Sequence, residues 1–271
     1  MELVLFREII VFVAVAAAAY TDMKTGLIYD KITYPLIAIG LVLNLIEFDV
    51  SSYLLAAAVF MAGYAIYYTG RIGGGDVKLF TGITLVLPFL NGRFFLLDVI
   101  VVSAIIAVVF LSAYYVSRYA KDGIDFRENR QGIMRSLVIG IATLIYFIFI
   151  LQSGIAEAGT VFALGIPIAF ALVFLALEKG IRRKFFLHKI SHEEVEEDEL
   201  IAVDEMDNGM RGKLGLGIKG IADNEVMTKI RELELKDIPV YRNLPRFAPF
   251  ALAGVVAAIF FGGILGSIVV W

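Results

Sequence analysis

Cysteine is missing from all 271 residues, which excludes a disulfide framework and every thiolate metal site, including a zinc ribbon of paired Cys-x-x-Cys. Histidine is nearly missing too. His188 and His192, four apart and able to share a helix face, have no third ligand in view and read as surface residues rather than a metal site. Charge is scarce: 19% of residues are Asp, Glu, Lys or Arg, against 59% hydrophobic and a mean hydropathy of +0.83. That leaves too little polar material to cover a soluble globule of this length, so the chain reads as an integral membrane protein. A formal net charge of -3 argues against nucleic-acid binding, and the basic residues are better read locally, as topology. The N-terminus offers Glu2, Arg7 and Glu8 rather than a basic n-region, and no small-residue cleavage site closes the apolar run that follows, so the first span is expected to be retained.

Eight apolar segments are present, at 3–20, 34–47, 52–69, 77–90, 94–117, 135–152, 159–177 and 247–271. The second and fourth hold roughly 14 residues each, against about 20 for a lipid-exposed span, and are expected to start beneath the surface or to sit inside the bundle. With eight spans, nine basic residues of the short loops (Lys24, Lys31, Arg71, Lys78, Arg118, Lys121, Arg127, Arg130 and Arg135) fall on one face, and two, Arg7 and Arg93, on the other. The first face is then cytoplasmic. The expected architecture is an all-α polytopic membrane protein of about eight transmembrane helices: a membrane core over 1–179, a small cytoplasmic α+β insertion over 180–246 and a final transmembrane helix over 247–271.

The most unusual stretch is Ile72-Gly73-Gly74-Gly75-Asp76-Val77-Lys78, a glycine run that ends in one carboxylate and enters an apolar segment. Three glycines permit backbone conformations closed to other residues and a close approach to a neighbour. The plainer reading is a flexible turn with Asp76 as helix N-cap. The eight-span topology places Asp22, after the first span, at the same depth as Asp76 and on the same face. Asp30 precedes the second span and can serve as its N-cap. Asp22 ends a span, where the helix dipole gives a carboxylate nothing, and is the better functional candidate. Two acids sharing a water cannot both ionise easily. One would take a proton from water attacking a carbonyl carbon while its protonated partner polarises the carbonyl oxygen. Lys78 could bias which acid ionises, bind a substrate carbonyl, or snorkel to the lipid surface.

The insertion, of about 65 residues, is marginal as an autonomous fold. It opens on Arg182-Arg183-Lys184, a basic collar suited to a lipid surface. The acidic run Glu193, Glu194, Glu196, Glu197, Asp198, Glu199 reads as a solvated face or as a docking surface for a basic substrate segment. An amphipathic helix is expected from Ala222-Asp223-Asn224-Glu225, with Val226, Ile230 and Leu233 on one face, and a strand at Ile238-Pro239-Val240-Tyr241. Gly215-Leu216-Gly217-Ile218-Lys219-Gly220 matches G-x-G-x-x-G, but the insertion is too small for a dinucleotide fold. Asp98, in the outer half of the fifth segment, is expected near the interface or hydrogen-bonded within the bundle.

Gly73-Gly74-Gly75-Asp76 with Lys78, together with Asp22 and Ile28-Tyr29-Asp30-Lys31-Ile32-Thr33, resembles the GxGD aspartic peptidases of the type IV prepilin peptidase group. In the common bacterial pattern Pro and Asn stand where this chain has Tyr29 and Asp30. The missing cysteines remove the zinc-binding domain of many bacterial members, and with it much of the case for their S-adenosylmethionine-dependent methylation. The late insertion followed by Pro245-Arg246-Phe247-Ala248-Pro249-Phe250 is more similar to archaeal members, preflagellin peptidases included. Presenilin-type proteases also carry GxGD, but with the partner acid on the immediately preceding span, which does not fit Asp22.

The resemblance implies a membrane aspartic endopeptidase without cofactor. Asp22 and Asp76 would be catalytic, with Gly73, Gly74, Gly75 and Lys78 in support. The implied substrates are pilin-like or flagellin-like precursors, cut on the cytoplasmic side where a short basic leader meets an apolar helix. Two rivals differ in class: a transporter or scaffold using Asp22 and Asp76 to bind an ion or cap helices, and a membrane methyltransferase using the glycine-rich insertion. No internal repeat of the kind transporters carry is visible.

Overall fold

The computed structural model describes residues 2–70, 72–196, 199–214, 220–222, 224–233, 235 and 237–261. Among them the elements run α1 (Glu2–Thr25), α2 (Asp30–Glu47), α3 (Val50–Tyr68), α4 (Gly74–Val86), β1 (Phe89–Leu90), β2 (Arg93–Phe94), α5 (Phe95–Lys121), α6 (Arg130–Ser153) and α7 (Ala158–Phe185). These are followed by β3 (Leu187–Ile190), a 3-10 turn (Val203–Glu205), α8 (Asn208–Leu214), α9 (Asn224–Glu232), β4 (Ile238–Tyr241) and α10 (Ala248–Phe261).

Each of the eight apolar segments contains a helix among the described residues, though 262–271 of the last lies outside them. Five of these, α1, α3, α5, α6 and α7, are long and apolar enough to cross a membrane. The other three fall short of that standard: α2 carries Asp30, Lys31 and Glu47 at its ends, α4 has 13 residues, and 14 residues of α10 are described.

The core is built on α4. Leu79, Ile83 and Val86 are buried against Val11, Val15 and Ala18 of α1, Leu36 of α2, Phe95 and Val99 of α5, and Ala251 and Val255 of α10. Close helix crossings make this possible. A Cβ on Gly40 of α2 would lie 2.5 Å from Leu85 Cβ, and one on Gly82 of α4 would lie 2.7 Å from Leu36 Cδ2. The residues that α2 buries, Thr33, Leu36, Gly40 and Asn44, recur every three or four positions, which aligns one stripe of the helix along α4.

The sequence suggests that the fourth segment continues to Leu90, but α4 stops at Val86. Pro88 keeps the preceding residue out of helical conformation, and Leu87 accordingly sits at φ -136°, ψ 77°. The chain then reverses through a β1–β2 hairpin whose Asn91 and Gly92 both have positive φ (53° and 75°), the requirement of a type I′ turn. The carbonyls left open at the end of α4 are met by side chains. Arg7 Nη1 donates to Val86 O at 2.7 Å and Asn44 Nδ2 to Leu85 O at 2.8 Å. Arg7 also donates to Asn44 Oδ1 and to Glu47 Oε2, the latter at 2.7 Å.

Helix α7 runs to Phe185, so the change to a polar subdomain falls after it rather than at Gly180. In the subdomain β3 pairs antiparallel with β4, and Val226 and Ile230 of α9 join Ile190, Ile201, Ile238 and Val240 in a small core. Leu233 lies beyond the helix end and is exposed. The basic collar is engaged by protein acids rather than left for lipid. Arg182 pairs with Asp204 at 2.9 Å, Arg183 with Glu205 and Glu128, and Lys184 with Asp122. Tyr241 donates to Asp204 beside Arg182. Burial, followed by that hydrogen bond, pushes its phenol well above the usual value.

Replacing Asn44 by Ala removes one donor from the end of α4 and leaves the Leu85 carbonyl unpaired in a dry site. It is expected to cost about 1–3 kcal/mol in denaturant unfolding in mixed micelles; an unchanged midpoint would remove this network from the account of stability.

Candidate active site

Asp22 lies in the last turn of α1, which closes at Gly26. That residue has φ +75° and donates its N–H to Asp22 O at 2.8 Å, a glycine-terminated helix end. Asp76 lies in the first turn of α4. The start of α4 and the end of α1 fall at the same end of the bundle, opposite Arg7 and Asn44. There the charge of Asp22 acts on Asp76, and no hydrogen bond joins the two side chains directly. Asp22 is buried and Asp76 partly so.

Both acids are held by backbone N–H groups, and both arrangements differ from expectation. The N-cap of α4 is Gly73, not Asp76. Asp76 stands three residues into the helix and accepts from the Gly73 N–H at 3.3 Å, the returning half of a capping box. Asp22 does end its own helix, as the sequence says, yet it is not electrostatically abandoned. Its Oδ2 accepts from the N–H of Ala248 at 3.1 Å, the first residue of α10, so it sits at the positive end of a helix 226 positions away in sequence. The Arg246 guanidinium acts on Asp22 as well, and lies 3.9 Å from where a Cβ on Gly26 would be.

The glycine run works by close approach. None of Gly73, Gly74 and Gly75 has a positive φ, so the expected special backbone conformations are not used. Gly75 is the tight contact: a Cβ there would lie 2.9 Å from Ile28 Cβ and 3.1 Å from Ile28 O, in the loop between α1 and α2. Gly74 faces the Tyr67 ring at an ordinary 3.6 Å. A bare backbone at Gly75 therefore lets the start of α4 lie directly on the loop that follows Asp22.

Lys78 and Asp30 pair with each other. Lys78 Nζ is 2.5 Å from Asp30 Oδ1 and 4.9 Å from the centre of the Tyr34 ring. The N-cap of α2 is Tyr29, and Asp30 makes no cap hydrogen bond. The lysine thus ties α4 to α2 beside the two acids, with its charge directed at Asp30.

Residues 9–112 match the model of the type IV leader peptidase family. That part of the chain is similar to this family. The family segment runs from α1 into α5 and so contains Asp22, the glycine run and Asp76. Two curated relatives, both described as prepilin peptidase EppA, are similar over the same part of the molecule. The protein of Methanothermobacter thermautotrophicus is 38% identical over 100 residues, 33% of this chain and 26% of the relative. That of Methanocaldococcus jannaschii is 32% identical over 127 residues, 45% of this chain and 37% of the relative. The chain thus spans well under half the length of these relatives. No solved structure matches it.

The remaining candidates lie elsewhere. Asp98 is buried in the first turn of α5, at the end of the bundle away from Asp22 and Asp76. His188 is on β3 and His192 in the loop after it, so they share no helix face. Among the described residues no cluster of three or more His, Asp or Glu side chains gathers in a way that would hold a metal. Most of the glycine-rich stretch, 215–219, lies outside the described residues, as do Glu197 and Asp198 of the acidic run. Glu199 is taken up by Arg242 at 2.8 Å.

Ile28, Arg246 and Ala248 entered the sequence reading only through the family resemblance and carried no role there. The last two had a signal in Pro249, since proline suits the first turn of a helix, but nothing local told which acid that turn would meet. Gly75→Ala should lower stability by about 1–3 kcal/mol, because neither the Ile28 Cβ nor its carbonyl can swing aside. Gly74→Ala should be neutral or slightly stabilising. Paired unfolding curves check this, and equal effects at the two positions would count against the Gly75 contact.

Proposed function

We propose that this protein is a membrane aspartic endopeptidase that removes the short basic leader of archaeal type IV pilin-like or flagellin-like precursors. Cleavage occurs at the cytoplasmic face of the cell membrane, where the leader meets the precursor's apolar helix. What supports this reading is the placement of Asp22 and Asp76 at one end of the helices, near enough for the charge of Asp22 to act on Asp76, inside the segment matched to the type IV leader peptidase family. Support comes also from the two relatives described as prepilin peptidases.

In this mechanism a water held between the two carboxylates attacks the scissile carbonyl. The ionised acid takes the water proton while the protonated acid donates its own to the carbonyl oxygen; as the tetrahedral intermediate collapses, the first acid passes its proton to the leaving amine and the second recovers one from the gem-diol hydroxyl. An acid pair at the bundle end reaches a peptide bond just outside the hydrocarbon without unwinding a whole spanning helix. The acidic stretch Glu193, Glu194, Glu196 and Glu197 would attract the basic leader.

A second reading rests on the Ala248 hydrogen bond: Asp22 as the structural cap of α10. Asparagine separates the two, since its amide oxygen caps a helix about as well as a carboxylate but cannot act as acid or base. In membranes supplied with a basic-leader precursor, Asp22→Asn and Asp76→Asn should each cut the cleavage rate by about 10²- to 10⁴-fold while the protein accumulates normally. Full activity of Asp22→Asn would leave that residue a cap and end the dyad. Reversing the charge of Glu193, Glu194, Glu196 and Glu197 should slow cleavage at low salt and much less at high salt; no change at low salt would dismiss the attraction.

A further inference from the structure

A polar cleft of about 550 Å³ opens where the 122–129 loop meets the start of α6 and the last turns of α7. It lies outside the leader peptidase segment, at the same end of the bundle as Asp22 and Asp76. α10 starts there, and Phe250 near its start packs on Phe110 while Gly254 reaches back to Val99 and Ser103, so the later part of α5 points toward that end. Tyr119, further along α5, then touches Asn129 and Gly180 beside the cleft.

The cleft's charges are unbalanced in one direction. Its two acids are both occupied within the protein: Asp125 Oδ1 accepts from the N–H groups of Arg127 and Glu128, and Glu128 pairs with Arg183 at 2.8 Å. Arg183 is in turn held by Glu205. Arg127, Arg130 and Lys179, by contrast, line the cleft from three different elements, and among the described residues their side chains have no hydrogen bond or ion pair.

Helix α6 adds to this. Its N-cap residue, Asn129, is of the right type to close the helix start, yet makes no cap hydrogen bond. The Asn129 amide is turned inward, where its oxygen accepts from the Gly180 N–H at 2.9 Å and its nitrogen donates to the Tyr119 hydroxyl at 3.0 Å. The first turn of a 24-residue helix thus faces the cleft without a side-chain acceptor, beside three cations that share it with the single carboxylate, Asp125, that no cation pairs among the described residues. Helices α6 and α7 are both long and apolar enough to span a membrane, so this end of the pair stands at headgroup depth.

We propose that this cleft binds the phosphate of an anionic phospholipid headgroup. Arg127, Arg130 and Lys179 supply the charge, and the uncapped start of α6 supplies N–H donors. A basic pocket between spanning helices at the membrane surface is the setting in which such headgroups are held, and the covering acyl chains would lie along α6, whose residues are nowhere buried by protein.

The test uses the full chain in nanodiscs of phosphatidylcholine with increasing phosphatidylglycerol, followed by native mass spectrometry to count retained phosphatidylglycerol. Wild type should retain it stoichiometrically. The triple variant Arg127→Gln/Arg130→Gln/Lys179→Gln should lose about a hundredfold in apparent affinity, and Lys179→Gln alone about fivefold. The single variant keeps the test valid should the triple misfold. A control of equal charge change, Lys24→Gln/Lys31→Gln/Lys189→Gln, should leave retention unchanged. Retention equal in wild type and Lys179→Gln, or an equal loss in the control, overturns the proposal. Displacement of the lipid by millimolar inorganic phosphate would also overturn it, and would make the cleft a site for free phosphate.

Discussion

A helix of 13 residues enclosed by protein is the constraint on which the other features depend. At about 1.5 Å per residue α4 is roughly 20 Å long, short of the about 30 Å of a hydrocarbon core, so both of its ends must be completed by the protein itself. At one end Arg7 and Asn44 take the open carbonyls of Leu85 and Val86. At the other, Gly73 and Asp76 close on each other, and the bare face of Gly75 lies on Ile28. Asp76 is thus fixed in depth by the whole length of the helix and in lateral position by the contact of Gly75 with the loop that follows α1.

Helix α10 ties the polar subdomain to this site. The chain leaves α7, forms the β3–β4 subdomain held by Arg182 and Arg183, and returns to place the Ala248 N–H on Asp22. A carboxylate at a helix N-terminus in a partly buried setting is stabilised by up to about 2 kcal/mol, and the Arg246 charge acts in the same sense. Stability and the proposed chemistry therefore share one side chain, and the two are separable because a cap requires only an acceptor whereas proton transfer requires an ionisable one.

Much of the fold was legible because the signal is local. Composition alone requires a membrane protein, and the helical segments follow from uninterrupted apolar runs. The strand at Ile238–Tyr241 and the helix beginning at Asn224 follow from short-range pattern. The placement of Asp22 and Asp76 at one end of the bundle followed from parity: two helices between them return the chain to the end from which it left. The errors share a cause. Lys78 with Asp30, the basic collar with acids of the subdomain and of the loop before α6, and Asp22 with Ala248 are partnerships across 22 to 226 positions, where periodicity has nothing to say.

The sequence by itself determined the solvent this chain requires, its run of helices and the two acids worth attention, since hydrophobicity and backbone preference act over a few neighbouring residues. Tertiary structure decided where α4 ends, which backbone N–H each acid accepts, and that Gly75 serves by having no side chain rather than by an unusual φ. Those choices depend on which surfaces meet when helices distant in sequence pack together, and only close packing in three dimensions selects among them.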